Sequence, residues 1–384
     1  MPVALLGWEL GAGYGHAAAL LELAHALARR GVQPVLALRD LREPWPLLTS
    51  CPFPALQAPR LPSLGDASFV ARSFLDVLAA SGFAEPDGLA AVLRGWDGLI
   101  ELVRPHVVVT NHAPALALAA YGVLPCVVTG TGFTVPPGDA PEFPALLSGA
   151  QDDLGSVVGA VVRDVAAARG RPAPQEITEL YRTNSFALTV PELDPYRPVR
   201  VGPVAGPLTS LLPPVPGTPQ QAFFAYLSAD APWAEPVLHS LSKSAQGAAY
   251  LRGADTSMRQ RLADAGVQVW AHPPALADVL RSSAVVIHHG SHATALATLA
   301  AGRPQLCLPR HLEQSLTGHL LEELGAGRSL RGELPPDAPA EALPGLLAPQ
   351  AAQAARELAE TIAGRGYAGC VDLIADRCAE LAAG

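Results

Sequence analysis

The sequence carries little charge, and lysine is almost absent from it. Only 16% of the 384 residues are charged, and Lys243 is the single lysine, so nearly every cation is an arginine. Twenty-six basic residues against 35 acidic ones leave a formal charge of −9. Such a chain has no general cationic field that would collect phosphate backbones or anionic lipid. We therefore do not expect nucleic acid as a partner.

Cysteine is also scarce, and its spacing forms no recognisable pair. The cysteines are odd in number and include no C-x-x-C motif. This pattern favours reduced thiols in a cytosol over a disulfide framework, and it predicts a cytoplasmic protein. We interpret all of them as small core hydrophobes. They are Cys51, Cys126, Cys307, Cys370 and Cys378.

The composition disfavours both disorder and a membrane span. Hydrophobic residues make up 49% of the chain and its mean hydropathy is +0.25, which is typical of a globular protein. The longest uncharged stretch, 105–138, is long enough to cross a bilayer, but Pro114, Gly122, Pro125 and Gly130 divide it. We predict a buried strand, helix and strand there, no signal peptide, and at most a peripheral membrane contact.

Strand and helix patterns alternate along the chain, which predicts an α/β protein. An apolar run at 3–8 leads through a glycine loop into a helical pattern at 15–30, and a second apolar run follows at 34–38. The segment 206–219 is rich in Pro and Gly and is the predicted linker. The same alternation then restarts, which indicates parallel sheets covered by helices.

The predicted fold therefore consists of two Rossmann-like, doubly wound domains that face a central cleft. The first domain is predicted at 1–205 and the second at 220–365, and a C-terminal helix at 366–384 could cross back to the first. In doubly wound sheets, ligands bind outside the carboxyl ends of the strands. The loops that follow the strands are therefore the places to look for a site.

The loop after the first strand combines glycines with a histidine. Gly11, Gly13 and Gly15 let a backbone loop approach a ligand at a helix N-terminus with partial positive charge. His16 titrates near neutral pH and is placed for proton transfer, although it could also only cap or pack the loop. A dinucleotide fingerprint requires glycine where His16 stands, so nicotinamide binding is disfavoured even though Asp40 could serve as a ribose acid.

A second histidine loop follows the apolar run at 107–109. It reads Thr110-Asn111-His112, at the mouth of the predicted cleft. Asn111 can orient an imidazole without stabilising its charged form, because an amide carries no negative charge. Its alternative role is to cap the helix that follows.

The second half of the chain contains the most specific pattern. A buried-strand pattern at 285–288 leads through small and hydroxyl residues at 289–294 into a helix, which is typical of a diphosphate site at a helix N-terminus. After the next apolar run, an adjacent acid and amide at 313–314 could hydrogen-bond sugar hydroxyls. A metal site at the histidines of 288–292 is disfavoured, because no further ligands lie nearby and there is no H-E-x-x-H.

Together these segments resemble the GT-B glycosyltransferases, in particular the bacterial, UDP-glycosyltransferase-like members of family 1. The residues at 288–294 read H-H-G-S-H-A-T where the family carries H-H-G-G-x-G-T, and G-R-P-Q at 302–305 and Glu313-Gln314 follow in the family's order. The glycine loop with His16 fits the same family. The resemblance covers nearly the whole chain.

The resemblance implies an inverting enzyme that needs no metal and no resident cofactor. It would move a hexose from a nucleotide sugar, with UDP or dTDP as the nucleotide, to a hydroxyl of a small, hydrophobic or lipid-like acceptor. The first domain would bind the acceptor and the second the donor. The sequence also lacks D-x-D, the acidic pair by which the other large glycosyltransferase fold holds a divalent ion.

The family's site residues can be carried over one by one. His16 would be the general base and Asn111 its partner, beside an acceptor loop of Gly13, Tyr14 and Gly15. The donor would be held by residues from the second half alone. These are Ser228, Trp270, His272, His289, Gly290, Ser291, Thr294, Glu313 and Gln314.

Three positions depart from the family pattern and keep two alternatives open. Ser291 and Ala293 replace glycines, and Asn111 stands where an aspartate often assists the histidine. A protein of the same fold that binds nucleotide sugars without catalysis, or a sugar-nucleotide epimerase, is therefore the alternative interpretation.

The loops at 44–85 and 131–150 are apolar and rich in phenylalanine. They favour a hydrophobic acceptor, unless their rings simply pack onto the core. The rings in question are Phe53, Phe69, Phe74, Phe83, Phe133 and Phe143.

Overall fold

The structure is a computed structural model that describes residues 1–11, 13–60, 71–147, 154–215, 217 and 219–384. The chain divides into two compact units. Unit 1 comprises Met1–Thr209 together with Gly369–Gly384, and unit 2 comprises Ser210–Ala368. The division at Thr209 falls inside the segment that the sequence predicts as a linker.

Unit 1 is built on a six-stranded sheet in the order β3-β2-β1-β4-β5-β6. Every neighbouring pair is parallel. The order reverses between β1 and β4, so the loops after these two strands lie side by side at the carboxyl edge. The strands are β1 (Val3–Trp8), β2 (Gln33–Leu38), β3 (Ala55–Gln57), β4 (Val107–Asn111), β5 (Cys126–Gly130) and β6 (Ser185–Ala187).

Helices cover this sheet, as the alternating pattern predicts. In addition to the helices, there are a π-helical turn at Ala79–Phe83 and 3-10 turns at Ile177–Tyr181 and Pro191–Leu193. The helices are α1 (Tyr14–Arg29), α2 (Trp45–Leu48), α3 (Phe74–Leu78), α4 (Pro86–Val103), α5 (Pro114–Ala120) and α6 (Leu154–Ala168).

The apolar periodicity of α1 explains how it is held against the sheet. Leu20, Leu23 and Leu27 share one face of the helix and are fully buried in a cluster that includes Leu6 of β1. The chain leaves the helix through Gly31, whose φ of 75° is the left-handed conformation that glycine adopts at low cost. This packing fixes the glycine loop that precedes α1 at the end of β1.

Unit 2 repeats the same topology. Its sheet has the order β12-β11-β10-β7-β8-β9, again with every neighbouring pair parallel. The reversal lies between β7 and β10, which places the loops after these strands side by side. The strands are β7 (Gln221–Ser228), β8 (Gly247–Arg252), β9 (Gln268–Val269), β10 (Ser283–His288), β11 (Gln305–Cys307) and β12 (Gly327–Ser329).

The helices of unit 2 include two that begin directly after the strands of the predicted donor motif, namely α10 and α11. The helices are α7 (Ala234–Ser244), α8 (Thr256–Asp264), α9 (Leu276–Ser282), α10 (His292–Ala300), α11 (Leu312–Glu323), α12 (Ala338–Leu347) and α13 (Pro349–Gly364).

The last helix of the chain, α14 (Val371–Ala383), belongs to unit 1. Ile374 and Cys378 of α14 are buried in the same cluster as the apolar face of α1. At the surface, Nε of Arg30 donates to a carboxylate oxygen of Asp376 over 2.6 Å. The chain returns to α14 after unit 2, so unit 1 is formed from two separated segments of the sequence.

The uncharged stretch at 105–138 folds as predicted. It contains β4, α5 and β5, and every residue of α5 is buried. Among the described residues, no helix combines the length and the apolar character that a membrane crossing requires.

Two neighbouring residues of α14 test this packing. Ile374 is fully buried and Leu373 is 58% exposed. Ile374→Ala should lower the free energy of unfolding by about 2–5 kcal/mol because it leaves a cavity, whereas Leu373→Ala should change it by no more than about 0.5 kcal/mol. Urea denaturation followed by circular dichroism measures both. Equal effects would contradict the contact between α14 and α1.

Candidate functional site

His16 lies in the first turn of α1, at the switch point of the unit 1 sheet. Its ring stacks on Trp8, with ring centroids 5.5 Å apart and planes inclined by 20°. Trp8 is fully buried, and its Nε1 donates to the carbonyl of Leu10 over 2.6 Å. The imidazole therefore rests on a rigid support that comes from the end of β1.

A chain of hydrogen bonds orients the imidazole. Thr129 Oγ1 donates to the carbonyl of Thr110 over 2.9 Å, so the same oxygen accepts from Asn111 Nδ2 over 3.2 Å. The amide oxygen of Asn111 then faces His16 Nδ1 at 2.7 Å. Because an amide oxygen only accepts, Nδ1 carries the proton and Nε2 of the neutral ring carries the lone pair.

The surroundings also keep the ring neutral. Burial lowers the pKa of His16, and the positive charge of Arg39 lowers it further, whereas the hydrogen bond to Asn111 raises it. The ring therefore has the protonation state of a base at neutral pH. The structure brings the two residues of the predicted catalytic pair into direct contact.

Side chains from the loop after β2 hold the glycine loop in place. Gly13 N donates to Glu43 Oε2 over 3.1 Å, and Arg39 Nη1 donates to the carbonyl of Gly11 over 2.8 Å. A carboxylate of the protein thus faces the N-terminus of α1, where a dinucleotide would place its phosphates. Asp40 accepts from two amides of its own loop, which lowers its pKa. Both contacts disfavour nicotinamide binding.

Behind His16 lies a cluster of aromatic rings. His112 meets His16 edge to face at 5.6 Å and lies 6.0 Å from Phe74. Phe74 in turn contacts the rings of Phe133, Phe143 and Tyr181. The phenylalanines of the apolar loops thus pack onto the core, and they do not support an exposed acceptor surface. Four of these rings are buried, namely Phe74, Phe83, Phe133 and Phe143. Phe53 is half-buried, and Phe69 lies outside the described residues.

In unit 2, His289 bridges two strand ends. Its Nδ1 donates to the carbonyl of Leu308 over 3.0 Å, and its Nε2 accepts from the amide of Ser228 over 3.0 Å. Leu308 follows β11 and Ser228 ends β7, so the ring spans the end of β10 between them. Burial is the main cause of its lowered pKa. Both ring nitrogens are engaged within unit 2.

The residues beside His289 are tied to the core. His288 Nε2 donates to Gln305 Oε1 over 2.8 Å, and the amide of Gly290 donates to His288 Nδ1 over 2.9 Å. Burial lowers the pKa of His288 to about 4. At Gly290 φ is 90°, and a Cβ would lie 2.7 Å from the carbonyl oxygen of Gln314. A glycine is thus required at position 290 because of its positive φ and the lack of space for a Cβ, and its amide already donates to His288.

The remaining predicted donor residues lie at the carboxyl edge of the same sheet. Ser291 Oγ donates to Thr294 Oγ1 over 3.1 Å at the start of α10, where the first-turn amides point out of the helix. In the first turn of α11, beside Glu313, Gln314 Oε1 accepts from the amide of Arg310 over 2.8 Å. Trp270 and His272 are exposed and follow β9, the edge strand farthest from α11.

The histidines at 288–292, where the sequence disfavours a metal site, are held by burial and by hydrogen bonds within unit 2. Across the described part of the chain, no three His, Cys, Asp or Glu side chains are arranged to hold a metal ion. The pKa of His292 is lowered to about 4 by burial alone. Metal independence of the reaction remains a prediction.

No protein-family model matches the chain. Two curated proteins are similar to part of it. Glycosyltransferase GtfC of Amycolatopsis orientalis is 37% identical over 95 residues, which cover 24% of this chain and 23% of that protein. Elloramycin glycosyltransferase ElmGT of Streptomyces olivaceus is 39% identical over 87 residues, or 23% and 22% of the two chains. The match thus spans less than a quarter of either relative.

Solved structures match over nearly the full length. The calicheamicin glycosyltransferase CalG4 covers 99% of this chain and 98% of its own, at 19% identity and a TM-score of 0.70. The glycosyltransferase VinC, in complex with dTDP, covers 99% of both chains, at 15% identity and a TM-score of 0.67. The chain has the GT-B fold. The rhamnosyltransferase SpnG, in complex with thymidine diphosphate, covers 95% of this chain and 96% of its own, at 19% identity and a TM-score of 0.64.

These matches confirm the resemblance that the sequence motifs indicate. The fold class follows from the two parallel sheets and from the structural matches together. At identities below 25%, such matches establish the GT-B fold alone.

Sequence reasoning missed four charged residues beside the GT-B switch points. In unit 2 these are Asp230, Arg252 and Arg310, which stand at or shortly after the ends of β7, β8 and β11. Arg310 Nη1 and Asp230 Oδ1 are 2.7 Å apart. In unit 1, Glu9 follows the last residue of β1. A search for charged residues at predicted strand ends would have found all four.

Glu9 joins the two loops of the unit 1 switch point. Its carboxylate accepts from the amides of Ala115 over 2.9 Å and Leu116 over 2.6 Å, at the start of α5. Its own amide donates to the carbonyl of His112. Burial outweighs these hydrogen bonds and raises the pKa of Glu9 to about 8.

The raised pKa of Glu9 predicts a pH-dependent stability. The protonated form is favoured in the folded state, so its contribution is complete below the unfolded value of 4.5 and is lost as the pH rises through about 8. The unfolding midpoint of the wild type in urea should therefore fall from pH 5 to pH 8.5, and Glu9→Gln should reduce that fall. Glu22→Gln, on an exposed position of α1, is the control. Equal slopes for all three proteins would contradict the prediction.

Proposed function

We propose that the protein is a glycosyltransferase that moves a sugar from a nucleoside-diphosphate donor to a hydroxyl group of a small acceptor. The observation that carries the proposal is the orientation of His16 by Asn111, which leaves the lone pair on Nε2. The GT-B fold and the partial sequence similarity to two glycosyltransferases support it.

In the proposed reaction, His16 acts as the general base. Its Nε2 takes the proton of the acceptor hydroxyl as that oxygen forms a bond to the anomeric carbon. The bond from this carbon to the β-phosphate oxygen breaks, and the diphosphate leaves with the electron pair. Attack from the face opposite the leaving group inverts the anomeric configuration.

Unit 2 would stabilise the departing diphosphate without a metal ion. The first-turn amides of α10 and the partial positive charge at its N-terminus favour an anion there. Ser291 and Thr294 present hydroxyl groups at the same helix end. Glu313 and Gln314 would hold the sugar hydroxyls, and Trp270 and His272 would contact the nucleoside. His289 would act chiefly through its support of the loop, since both its ring nitrogens are engaged.

The proposed donor is a dTDP-hexose or UDP-hexose. VinC and SpnG are solved with thymidine diphosphate, which favours dTDP as the first choice. The proposed acceptor is a small molecule of the kind that the names of elloramycin and calicheamicin glycosyltransferases denote. The hydrophobic character of the acceptor is proposed from the family resemblance alone, because the rings around His112 are buried. No resident cofactor is part of the proposal, and a cytoplasmic location agrees with it.

One observation favours a non-catalytic alternative. Asn111 has no negative charge with which to stabilise the imidazolium that proton transfer creates. A protein that binds nucleotide sugars without transfer would tolerate this residue. Product analysis separates the alternatives: a glycoside supports transfer, a free altered sugar nucleotide supports an epimerase, and binding without a product supports the non-catalytic protein.

Replacement of His16 tests the base directly. His16→Ala should lower transfer to an acceptor panel by about 10²- to 10⁴-fold and leave dTDP binding unchanged, because the base acts only on the acceptor. Transfer is measured by chromatography and binding by calorimetry. His25→Ala, on an exposed position of the same helix, is the control. Loss of both properties, or of neither, would exclude His16 as the base.

Asn111→Asp tests the partner of the base. A carboxylate at 2.7 Å from Nδ1 would stabilise the imidazolium and raise the pKa of His16. The acid limb of the pH profile of kcat/KM should move upward by about one pH unit. Asn111→Ala should instead lower kcat, since the ring loses its orientation. An unchanged acid limb in the aspartate variant would show that another group titrates.

A further inference from the structure

The carboxyl edge of the unit 2 sheet holds two arginines that the proposed function does not use. Arg252 is the last residue of β8 and is paired in register with Ser228, the last residue of β7. Its Nη2 lies 3.4 Å from Ser228 Oγ. Arg310 stands three residues after the end of β11. The two guanidinium groups therefore come to one edge from two different strands.

Arg310 forms an ion pair with an acid from another loop. Its Nη1 and Nη2 lie 2.7 Å and 3.4 Å from the two carboxylate oxygens of Asp230, which follows β7. In the sheet, β10 lies between β11 and β7. The pair thus joins the loops on either side of the end of β10, where the loop with His289 and Gly290 begins.

The same two loops are joined by His289. Its ring accepts from the amide of Ser228 and donates to the carbonyl of Leu308. The pKa of His289 is lowered by burial and then by the charge of Arg310, among other groups. The imidazole is therefore neutral, and the positive charge at this edge comes from the arginines.

Two guanidinium groups act on the carboxylate of Asp230. Its hydrogen bond with Ser228 lowers the pKa of Asp230, and the charges of Arg310 and Arg252 lower it further. A nucleotide-sugar diphosphate carries more negative charge than one carboxylate and offers more acceptor oxygens. Guanidinium groups bind phosphate oxygens in pairs, as they bind carboxylates. A diphosphate is thus a better partner for Arg310 than Asp230 is.

The ion pair is also easy to exchange. The side chain of Asp230 is 64% exposed and that of Arg310 is 37% exposed. Exposed ion pairs contribute little net stability, because water and salt screen them. Separation of the two side chains would therefore cost an incoming anion little of its binding free energy.

We propose that Asp230 holds Arg310 as an internal counter-anion while no donor is bound, and that the donor diphosphate replaces Asp230 on Arg310, with Arg252 as a second cation. The inference rests on the proposed function, since it adds residues to the same donor site. The arginines would supply positive charge from the end of β8 and from the loop after β11, in addition to the N-terminus of α10.

Calorimetric titration with dTDP and with thymidine tests the arginines. Arg310→Gln and Arg252→Gln should each weaken dTDP binding by about tenfold or more, and leave thymidine binding unchanged, because thymidine has no phosphate. Arg310→Lys should lie between the wild type and Arg310→Gln, since it keeps the charge but loses the paired hydrogen bonds. Thermal melting by circular dichroism verifies that each variant is folded.

Substitution of Asp230 tests whether the diphosphate displaces this carboxylate from Arg310 or is simply attracted to the arginines. Asp230→Asn should tighten dTDP binding about two- to fivefold, because the competing carboxylate is removed. In the Arg310→Gln background the same change should have no such effect, because residue 310 then has no guanidinium group with which Asp230 could form an ion pair. Arg281→Gln is the control: its ion pair with Asp278 lies on α9, directly before β10 begins, at the opposite edge of the sheet.

The outcomes separate the two proposals. If the wild type binds neither dTDP nor thymidine, the proposed function fails and the exchange fails with it. If the wild type binds dTDP and the arginine variants bind it equally well, only the exchange is overturned. Weaker binding by Asp230→Asn would also overturn it, since Asp230 would then assist the donor.

Discussion

The tautomer of His16 in unit 1 depends on the direction of one chain of hydrogen bonds. Thr129 has one hydroxyl proton, which goes to the carbonyl of Thr110, and this fixes the amide of Asn111 and the tautomer of His16 in turn. The chain exists because Asn111 and Thr129 are register partners on β4 and β5. A shift of one residue between these strands would turn Thr129 to the other face of the sheet and release the imidazole.

Unit 2 also places a histidine at its switch point, but both ring nitrogens of that histidine are hydrogen-bonded within the protein. Its sheet has the same strand order, and its switch point also carries a histidine at the strand end. There the carbonyl of Leu308 and the amide of Ser228 occupy both nitrogens of His289. His16 keeps the lone pair on its Nε2, whereas His289 is a structural bridge. The anion binding proposed for unit 2 therefore depends on helix amides and on side chains other than the imidazole.

The sequence was sufficient to predict the alternating α/β fold, and the resemblance to the GT-B family supplied the pairing of His16 with Asn111. Apolar periodicity gives the strands and α1, whereas the adjacency of the loops after β1 and β4 follows from the strand order in the structure. The sequence was not sufficient to predict which polar atoms of the site already form hydrogen bonds or ion pairs within the protein. The bond from Gly290 to His288 and the ion pair between Asp230 and Arg310 depend on rotamers and on register between distant segments, which periodicity does not encode.

Each unit places a carboxylate where an anion could bind, but only one of them is easily displaced. Glu43 faces Gly13 at the start of α1 from a partly buried loop that Asp40 and Arg39 also hold, so an anion there would have to disrupt that loop. Asp230 is mostly exposed and faces an arginine. Anion exchange is therefore easier in unit 2. The glycine loop of unit 1, with its positive helix end already compensated by Glu43, suits a neutral ligand, such as the hydroxyl group of the proposed acceptor.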